Sequence, residues 1–83
     1  MYKVLIVKSA IKEISKLPVK EAVRITEKIL TLKDDPRPIG SLKLKGRKGE
    51  YRIRMGDYRI LYTIQDELLV VNVIKVANRK DVY

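Results

Sequence analysis

The sequence lacks cysteine, histidine, tryptophan and phenylalanine, and the first two absences exclude several kinds of chemistry. Without cysteine, neither a disulfide nor a thiolate nucleophile is available. Without histidine, the side chain that most often serves as a general acid or base near neutral pH is missing. The carboxylates show no spacing typical of a metal cage, so we expect no metal and no cofactor. Any catalysis must therefore depend on Arg, Lys, Tyr, Asp or Glu.

Long hydrophobic runs are also missing. The opening apolar run, residues 2–7, is too short for a signal peptide and is followed at once by charge. No stretch approaches the roughly 20 apolar residues that a helix needs to cross a bilayer. A chain of 83 residues is long enough for one small domain, which buries roughly 60% of the surface of its unfolded chain. We therefore expect one soluble domain over residues 1–83, located in the cytoplasm and not at a membrane.

Positive charge is abundant and unevenly distributed. Nineteen basic residues against ten acidic ones give a net charge of +9. Residues 43–59 alone hold seven of the basic residues and only two acidic ones. Such an excess is typical of a protein with an anionic partner, although a basic, soluble surface without a partner is the simpler alternative.

A predicted β-hairpin over residues 51–64 gives this charge a definite place. Two β-rich runs flank a Gly-Asp pair at 56–57, which indicates a two-residue turn that sets Arg54 opposite Arg59. Because side chains alternate along a strand, one face is expected to be apolar and the other basic. The apolar face would hold Tyr51, Ile53, Met55, Tyr58, Ile60 and Tyr62. The other face, called the arginine face below, would hold Arg52, Arg54 and Arg59.

The arginine face is a candidate anion site. Like charges directly opposite each other destabilise a sheet by up to roughly 1 kcal/mol, so three converging guanidinium groups indicate a bound anion. Phosphate matches their fork geometry best. The anion could be a reacting phosphate, an unreactive nucleic-acid backbone or an acidic group of a protein partner. Further candidates for substrate binding are the neighbouring basic residues Lys43, Lys45, Arg47 and Lys48, if the strand register allows.

RNA is a substrate that such a site could cleave without a metal. The 2′-hydroxyl of RNA is itself the nucleophile, so the enzyme needs only positioning, electrostatic stabilisation and a proton acceptor. Glu50 lies two residues before Arg52 and would therefore share the arginine face, where it is either a base or a salt-bridge partner of the arginines. Tyr83 is the other candidate base, because nearby guanidinium charge would lower its pKa from roughly 10. Its ring could also stack on a nucleobase.

The helical part of the pattern predicts two consecutive helices. Ser9 is expected to cap a short helix that Pro18 brings to an end. A longer helix from about Pro18 to Lys33 follows, with one apolar and one polar half. Its apolar half holds Val19, Ala22, Val23, Ile25, Thr26, Ile29, Leu30 and Leu32.

The remaining strands complete an α+β domain in the order β-α-α-β-β-β. Residues 2–7 form the first strand, and Leu42 and Leu44 alternate with lysines in a short one. Residues 68–76 are almost continuously apolar, which predicts a central strand covered on both faces. We expect the two helices to pack on the apolar face of a mainly antiparallel sheet.

Two segments of the sequence resemble the RelE/ParE superfamily of toxin–antitoxin toxins. One is the hairpin, Tyr51-Arg-Ile-Arg-Met followed by Gly56-Asp-Tyr-Arg-Ile-Leu-Tyr62, and the other is the terminal Asn78-Arg-Lys-Asp-Val-Tyr83. With the opening strand, the helical pair and the Leu44-Lys-Gly46 stretch, the resemblance spans the whole chain. It is closer to RelE than to ParE.

This resemblance implies an activity and its partners. RelE-like toxins are ribosome-dependent ribonucleases that cut messenger RNA in the A site and are neutralised by a cognate antitoxin. The chain would then be a metal-independent endoribonuclease that inhibits translation. Its partners would be the ribosome with A-site message and a cognate antitoxin, with operator DNA bound through that antitoxin.

The resemblance also assigns catalytic residues. Arg52 and Arg54 match the paired basic positions of the first hairpin strand, and Arg59 matches the arginine of the Tyr-Arg-x-x-Tyr segment. Arg79 lies in the terminal basic motif, and Tyr83 matches the tyrosine that completes the site.

Two other functions stay open. The chain could be a non-catalytic, ParE-like toxin that inhibits DNA gyrase by binding it, or a weakened or inactive relative that only binds antitoxin and nucleic acid. Many relatives carry His where this chain has Asn78, whose amide forms hydrogen bonds but cannot titrate. A clustered arginine face together with a terminal tyrosine favours the nuclease, because a gyrase binder would not require both.

Overall fold

A computed structural model of the chain describes residues 1–46 and 49–78. These residues form two α-helices, one 3₁₀ turn and a five-stranded sheet with the strand order β1-β5-β4-β3-β2. The elements are β1 (Lys3–Ile6), α1 (Lys8–Ser15), α2 (Val19–Thr31), β2 (Leu42–Lys43), β3 (Glu50–Met55), β4 (Tyr58–Gln65) and β5 (Val70–Asn78), with the 3₁₀ turn at Asp66–Leu68. The predicted α+β class is confirmed, as is the position of the two helices after the first strand. Four strands follow the helices, one more than the predicted order β-α-α-β-β-β contains.

The sheet is mainly antiparallel, as predicted, with β1 and β5 as its parallel pair. The β3–β4 hairpin has the expected register, with Met55 opposite Tyr58 and Arg54 opposite Arg59. Gly56 has a φ of 60°, and Asp57 does not have a positive φ. This combination is that of a type II′ turn, whose first central position favours glycine and whose twist matches that of the strands.

The core lies between the apolar face of the sheet and the two helices. Its fully buried members come from α1, from α2 and the residue after it, and from β3, β4 and β5. They are Ala10, Ile25, Ile29, Leu32, Ile53, Ile60, Tyr62, Val71, Val73 and Val76. The tyrosines of the hairpin belong to this side, since Tyr51 and Tyr58 pack against the same cluster.

The predicted apolar half of α2 is wider than the buried one. Ile25 and Ile29 are fully buried, whereas Val19 is 79% exposed and Val23 is 50% exposed. The helix periodicity alone cannot show which part of an apolar half meets the sheet. No helix among the described residues is long and apolar enough to span a membrane.

Helix α1 begins two residues earlier than a Ser9 cap would place it, so that prediction is wrong. Val7 occupies the N-cap position without a side-chain hydrogen bond, and Ser9 lies inside the first turn. The Val7 N–H donates to the Val73 carbonyl at 3.0 Å, while its own carbonyl accepts the Ala10 and Ile11 N–H groups. The backbone pairing between the β1 segment and β5 ends at Val7. This tertiary contact, and not a capping side chain, therefore determines where the helix begins.

Strand β5 starts later than the apolar run that predicted it. Leu68 and Leu69 precede the strand, and Leu69 has a positive φ of 54°. The strand lies inside the sheet, between β1 and β4, as predicted. Coverage on both faces is not observed, because Val71 and Val73 are buried while Asn72 between them is only half-buried.

Candidate functional site

The structure places the three predicted arginines together on the arginine face. Arg54 and Arg59 lie directly opposite each other on β3 and β4, and Arg52 lies two residues before Arg54 on the same side of β3. Arg54 is exposed, whereas Arg52 and Arg59 are half-buried. Three guanidinium groups on neighbouring positions of a rigid hairpin form a site that suits a multivalent oxyanion such as phosphate.

An apolar residue lies in the middle of the arginine face. Leu61 is opposite Arg52 on one side and opposite Lys75 on the other, and it is only 3% exposed. Next to it, the Nε atom of Arg52 is buried and has no hydrogen-bond partner among the described residues. Burial beside an aliphatic side chain lowers the local dielectric constant, which strengthens the attraction of Arg52 for an anion.

The other predicted site residues are placed differently. Glu50 lies opposite Thr63 and, by strand alternation, on the arginine face. Lys43 lies opposite Tyr51, so the register assigns it to the other face, and Leu42 is the β2 residue opposite Arg52. Lys43 therefore does not extend the arginine face as the sequence pattern suggested. Lys45 is exposed in the turn after β2.

Several predicted residues lie outside the described part of the chain, and their roles remain predictions. They are Arg47, Lys48, Arg79 and Tyr83. Within residues 1–46 and 49–78, the carboxylates form no group of three or more that could hold a metal ion.

A polar cluster at the end of the apolar face was missed in the sequence. Arg37, in the loop between α2 and β2, donates to both carboxylate oxygens of Asp66 at 3.1 and 2.8 Å. The Tyr2 hydroxyl donates to Asp66 at 2.6 Å, and the Arg37 Nε donates to the Tyr51 hydroxyl at 3.2 Å. The hydrogen bonds from Arg37 and Tyr2 lower the pKa of Asp66 to about 2. Below, these four residues are called the Arg37 cluster.

An aromatic stack joins the Arg37 cluster to the core. The Arg37 guanidinium carbon lies 5.3 Å from the centroid of the Tyr51 ring, which stacks on Tyr62 with centroids 5.8 Å apart. The buried Tyr62 hydroxyl donates to the Pro36 carbonyl at 2.8 Å, and burial raises the pKa of Tyr62 to about 12. These contacts attach the loop before β2 to both β3 and β4. Since Asp66 occupies the guanidinium of Arg37, this arginine is a structural residue and not a candidate anion ligand.

The comparisons with known proteins agree on one family. The family model described as the ParE toxin of a type II toxin–antitoxin system, parDE, matches residues 4–83. This match spans almost the whole chain. The chain therefore belongs to the RelE/ParE superfamily of type II toxin–antitoxin toxins.

Individual relatives place the chain on the RelE side of that superfamily. The toxin RelE of Mycobacterium tuberculosis is 31% identical over 83 residues, which cover 99% of this chain and 86% of that protein. The archaeal RelE–RelB complex from Pyrococcus horikoshii has a TM-score of 0.85 at 30% identity, with coverage of 96% and 97%. The isolated E. coli RelE toxin has a TM-score of 0.80 at 30% identity, with coverage of 94% and 84%. The chain is a RelE-like toxin of a type II toxin–antitoxin system.

Proposed function

We propose that this toxin is a metal-independent endoribonuclease that cuts messenger RNA in the ribosomal A site and thereby stops translation in the cytoplasm. The observation that carries this proposal is the arginine face, where Arg52, Arg54 and Arg59 converge around the buried Leu61. The similarity to RelE toxins supports it. Message bound on a ribosome would present the single-stranded phosphate that such a face requires.

The proposed reaction is a transfer of the phosphoryl group within the RNA. The 2′-oxygen attacks the adjacent phosphorus, and the bond from phosphorus to the 5′-oxygen breaks. The leaving 5′-oxygen takes up a proton from water, so that a 2′,3′-cyclic phosphate and a 5′-hydroxyl result. Negative charge builds up on the phosphate oxygens in the transition state. Arg59 stabilises this charge, while Arg52 and Arg54 hold the phosphate in line for attack.

A proton must leave the 2′-hydroxyl, and two residues of this chain could accept it. One is Tyr83, which matches the tyrosine that completes the site in the family and which could instead stack on a nucleobase. Glu50 lies on the arginine face by strand alternation and is the alternative base. Tyr83→Phe separates the two roles of the tyrosine, because it keeps the ring and removes the hydroxyl.

Single-turnover cleavage of message on programmed ribosomes tests the proposal. Arg59→Ala is expected to lower the rate by about 100-fold or more, with message binding much less affected. Arg24→Ala is the matched control, because it removes the same charge from an exposed position on α2. A large loss of cleavage rate in Tyr83→Phe would indicate proton transfer by Tyr83. Near-normal cleavage would make Glu50 the candidate base, which Glu50→Gln then tests.

The same assay can reject the nuclease function. If wild type and Arg59→Ala both leave ribosome-bound message intact while a known RelE toxin cuts it, the chain is not a ribosome-dependent nuclease. Inhibition of DNA gyrase would then be the leading function, since the matching family model describes a ParE toxin. A supercoiling assay with purified gyrase measures that activity directly.

We further propose that a cognate antitoxin neutralises the toxin and, in the complex, binds operator DNA. The P. horikoshii structure, a RelE–RelB complex, supports such a partner. An acidic segment of the antitoxin would cover the arginine face or displace the terminal tail. An amphipathic segment would pack in the groove of about 370 Å³ between α1 and α2, whose lining includes Leu17, Val19 and Val23. Apolar contact there would supply affinity, and charge would supply association rate and specificity.

A binding experiment tests this form of inhibition. Replacing all three hairpin arginines by alanine should slow association with the antitoxin and weaken its salt dependence. Equal binding by the triple variant, with the terminal tail left in place, would show that inhibition does not involve the arginine face.

A further inference from the structure

The C-terminal half of β5 extends past the end of its parallel neighbour. β1 ends at Ile6, opposite Val73, and the last bond between them runs from the Val7 N–H to the Val73 carbonyl at 3.0 Å. β5 continues to Asn78, so its last residues pair with β4 on one side, and no strand in the described part of the chain pairs with them on the other. Backbone groups at such an edge need a partner of another kind.

A bulge changes which backbone groups face this edge. Before the bulge, the backbone N–H and C=O groups of the odd-numbered β5 residues point toward β1. The carbonyls of Leu69 and Val73, for example, accept the N–H groups of Lys3 and Val7. Tyr62 pairs with Val73 while Leu61 pairs with Lys75, so one residue of β5 is left over between them. Alternation therefore shifts by one, and the even-numbered Val76 directs its N–H outward.

A glutamate of α1 binds this outward N–H. One carboxylate oxygen of Glu13 accepts the Val76 N–H at 2.9 Å, and the other pairs with the Lys75 ammonium at 3.1 Å. The Glu13 side chain is 31% exposed. A backbone N–H bound by a carboxylate forms a charge-assisted hydrogen bond, which is stronger than a neutral one.

We infer that Glu13 is a positioning residue for the arginine face. Its carboxylate takes the place of a neighbouring strand and holds the end of β5 in register with β4. That part of β5 supports the site directly, because Ala77 lies opposite Arg59 and Asn78 lies opposite Tyr58. Without Glu13, the strand next to Arg59 would lose its outer partner and fray, and the guanidinium would lose its fixed position. This inference rests on the proposed function for its catalytic part.

Two substitutions separate the backbone bond from the ion pair. Glu13→Gln keeps a carbonyl oxygen for the Val76 N–H and loses the charge that pairs with Lys75. Glu13→Ala loses both interactions. Glu27→Ala, at an exposed glutamate of α2, is the matched control for removal of a helix carboxylate.

Amide hydrogen exchange measured by NMR is the first readout. In Glu13→Ala, exchange at Val76 should rise by about tenfold or more, since a charge-assisted bond is lost. Exchange at Val71, inside the β1–β5 pairing, should stay as in wild type. Glu13→Gln and Glu27→Ala should both keep Val76 protected. An unchanged Val76 in Glu13→Ala, or an equal rise at Val71, would overturn the inference.

Function is the second readout, and it has two arms. Single-turnover cleavage should fall by about tenfold in Glu13→Ala and recover in Glu13→Gln, because misplacement of Arg59 weakens transition-state stabilisation. Binding of inorganic pyrophosphate, followed by NMR at the arginine face, should weaken in the same order. If wild type cuts no message, the proposed nuclease function is rejected. The measurement of pyrophosphate binding then still tests whether Glu13 positions the arginine face. Loss of Val76 protection without a change in either arm would reduce Glu13 to a structural residue.

Discussion

The two faces of the β3–β4 hairpin share the same strands and the same register, yet their side chains are held in different ways. On the apolar face, Ile53 and Ile60 lie opposite each other and are at most 2% exposed. On the arginine face, Arg54 and Arg59 lie opposite each other, and Arg54 is exposed. The first pair is held by packing against helices. The backbone register places the second pair side by side, although its two like charges repel each other.

This difference separates stability from function within one hairpin. Burial of the apolar face stabilises the fold and thereby holds the turn and the register. The register in turn brings the arginines close together, and the free energy gained by burial of the apolar face exceeds the repulsion between their charges. Substitutions on the apolar face should therefore lower the free energy of unfolding, whereas substitutions on the arginine face should mainly lower anion binding and cleavage.

The largest effect on stability is expected for Ile60→Ala. Removal of a fully buried isoleucine side chain leaves a cavity and should cost about 2–5 kcal/mol in the free energy of unfolding. The matched control is Ile39→Ala, because Ile39 is 103% exposed in the loop before β2. Urea titrations of both variants measure the difference. Equal losses in the two variants would show that the hairpin face is not the stabilising one.

A smaller effect is expected for Tyr62→Phe, which keeps the buried ring and removes its hydroxyl. The Pro36 carbonyl loses its hydrogen bond, which should cost about 1–2 kcal/mol. Tyr58→Phe is the control, since the Tyr58 hydroxyl has no hydrogen bond within the described residues. Thermal melts of the two variants compare the losses, and an unchanged midpoint in Tyr62→Phe would rule out the bond to the loop.

Asp66→Asn should have an effect that depends on pH. The folded-state pKa of Asp66 is about 2, below the value of about 3.9 in an unfolded chain. Its ionised form therefore stabilises the fold above about pH 4, and this contribution is lost as the pH falls toward 2. Wild type should melt higher than Asp66→Asn near neutral pH, and the two curves should converge near pH 2. Parallel curves over this range would show that the Arg37 cluster does not depend on the charge of Asp66.

The smallest effect on stability is expected for Arg54→Ala. Loss of one of two opposed charges should change the free energy of unfolding by no more than about 0.5 kcal/mol, and the change can be a gain. Pyrophosphate binding should weaken in the same variant, because one of three cationic ligands is gone. Denaturation and titration of one sample give both values. A large loss of stability would mean that Arg54 is structural and that the two faces are not separable.

Short-range patterns in the sequence determined the hairpin and its two faces. A glycine at the first position of a two-residue turn, flanked by alternating apolar and basic residues, leaves one register that buries the apolar set. Prediction of the facing arginines needed nothing beyond residues 51–64, and the order of helices and strands followed from equally local periods. The assignment of Arg79 came from family resemblance alone, and that of Tyr83 came mainly from it; both stay predictions.

Only the tertiary structure decided the contacts between distant parts of the chain. The sequence contains no period that links Arg37 with Asp66, or Glu13 with Val76, because such pairs meet through the arrangement of whole elements. The register of the two-residue β2 is also not local, and it removed Lys43 from the arginine face. The position of the α1 N-cap at Val7 depended on pairing with β5. Periodicity reports the conformation of one segment, whereas these contacts depend on how segments pack against one another.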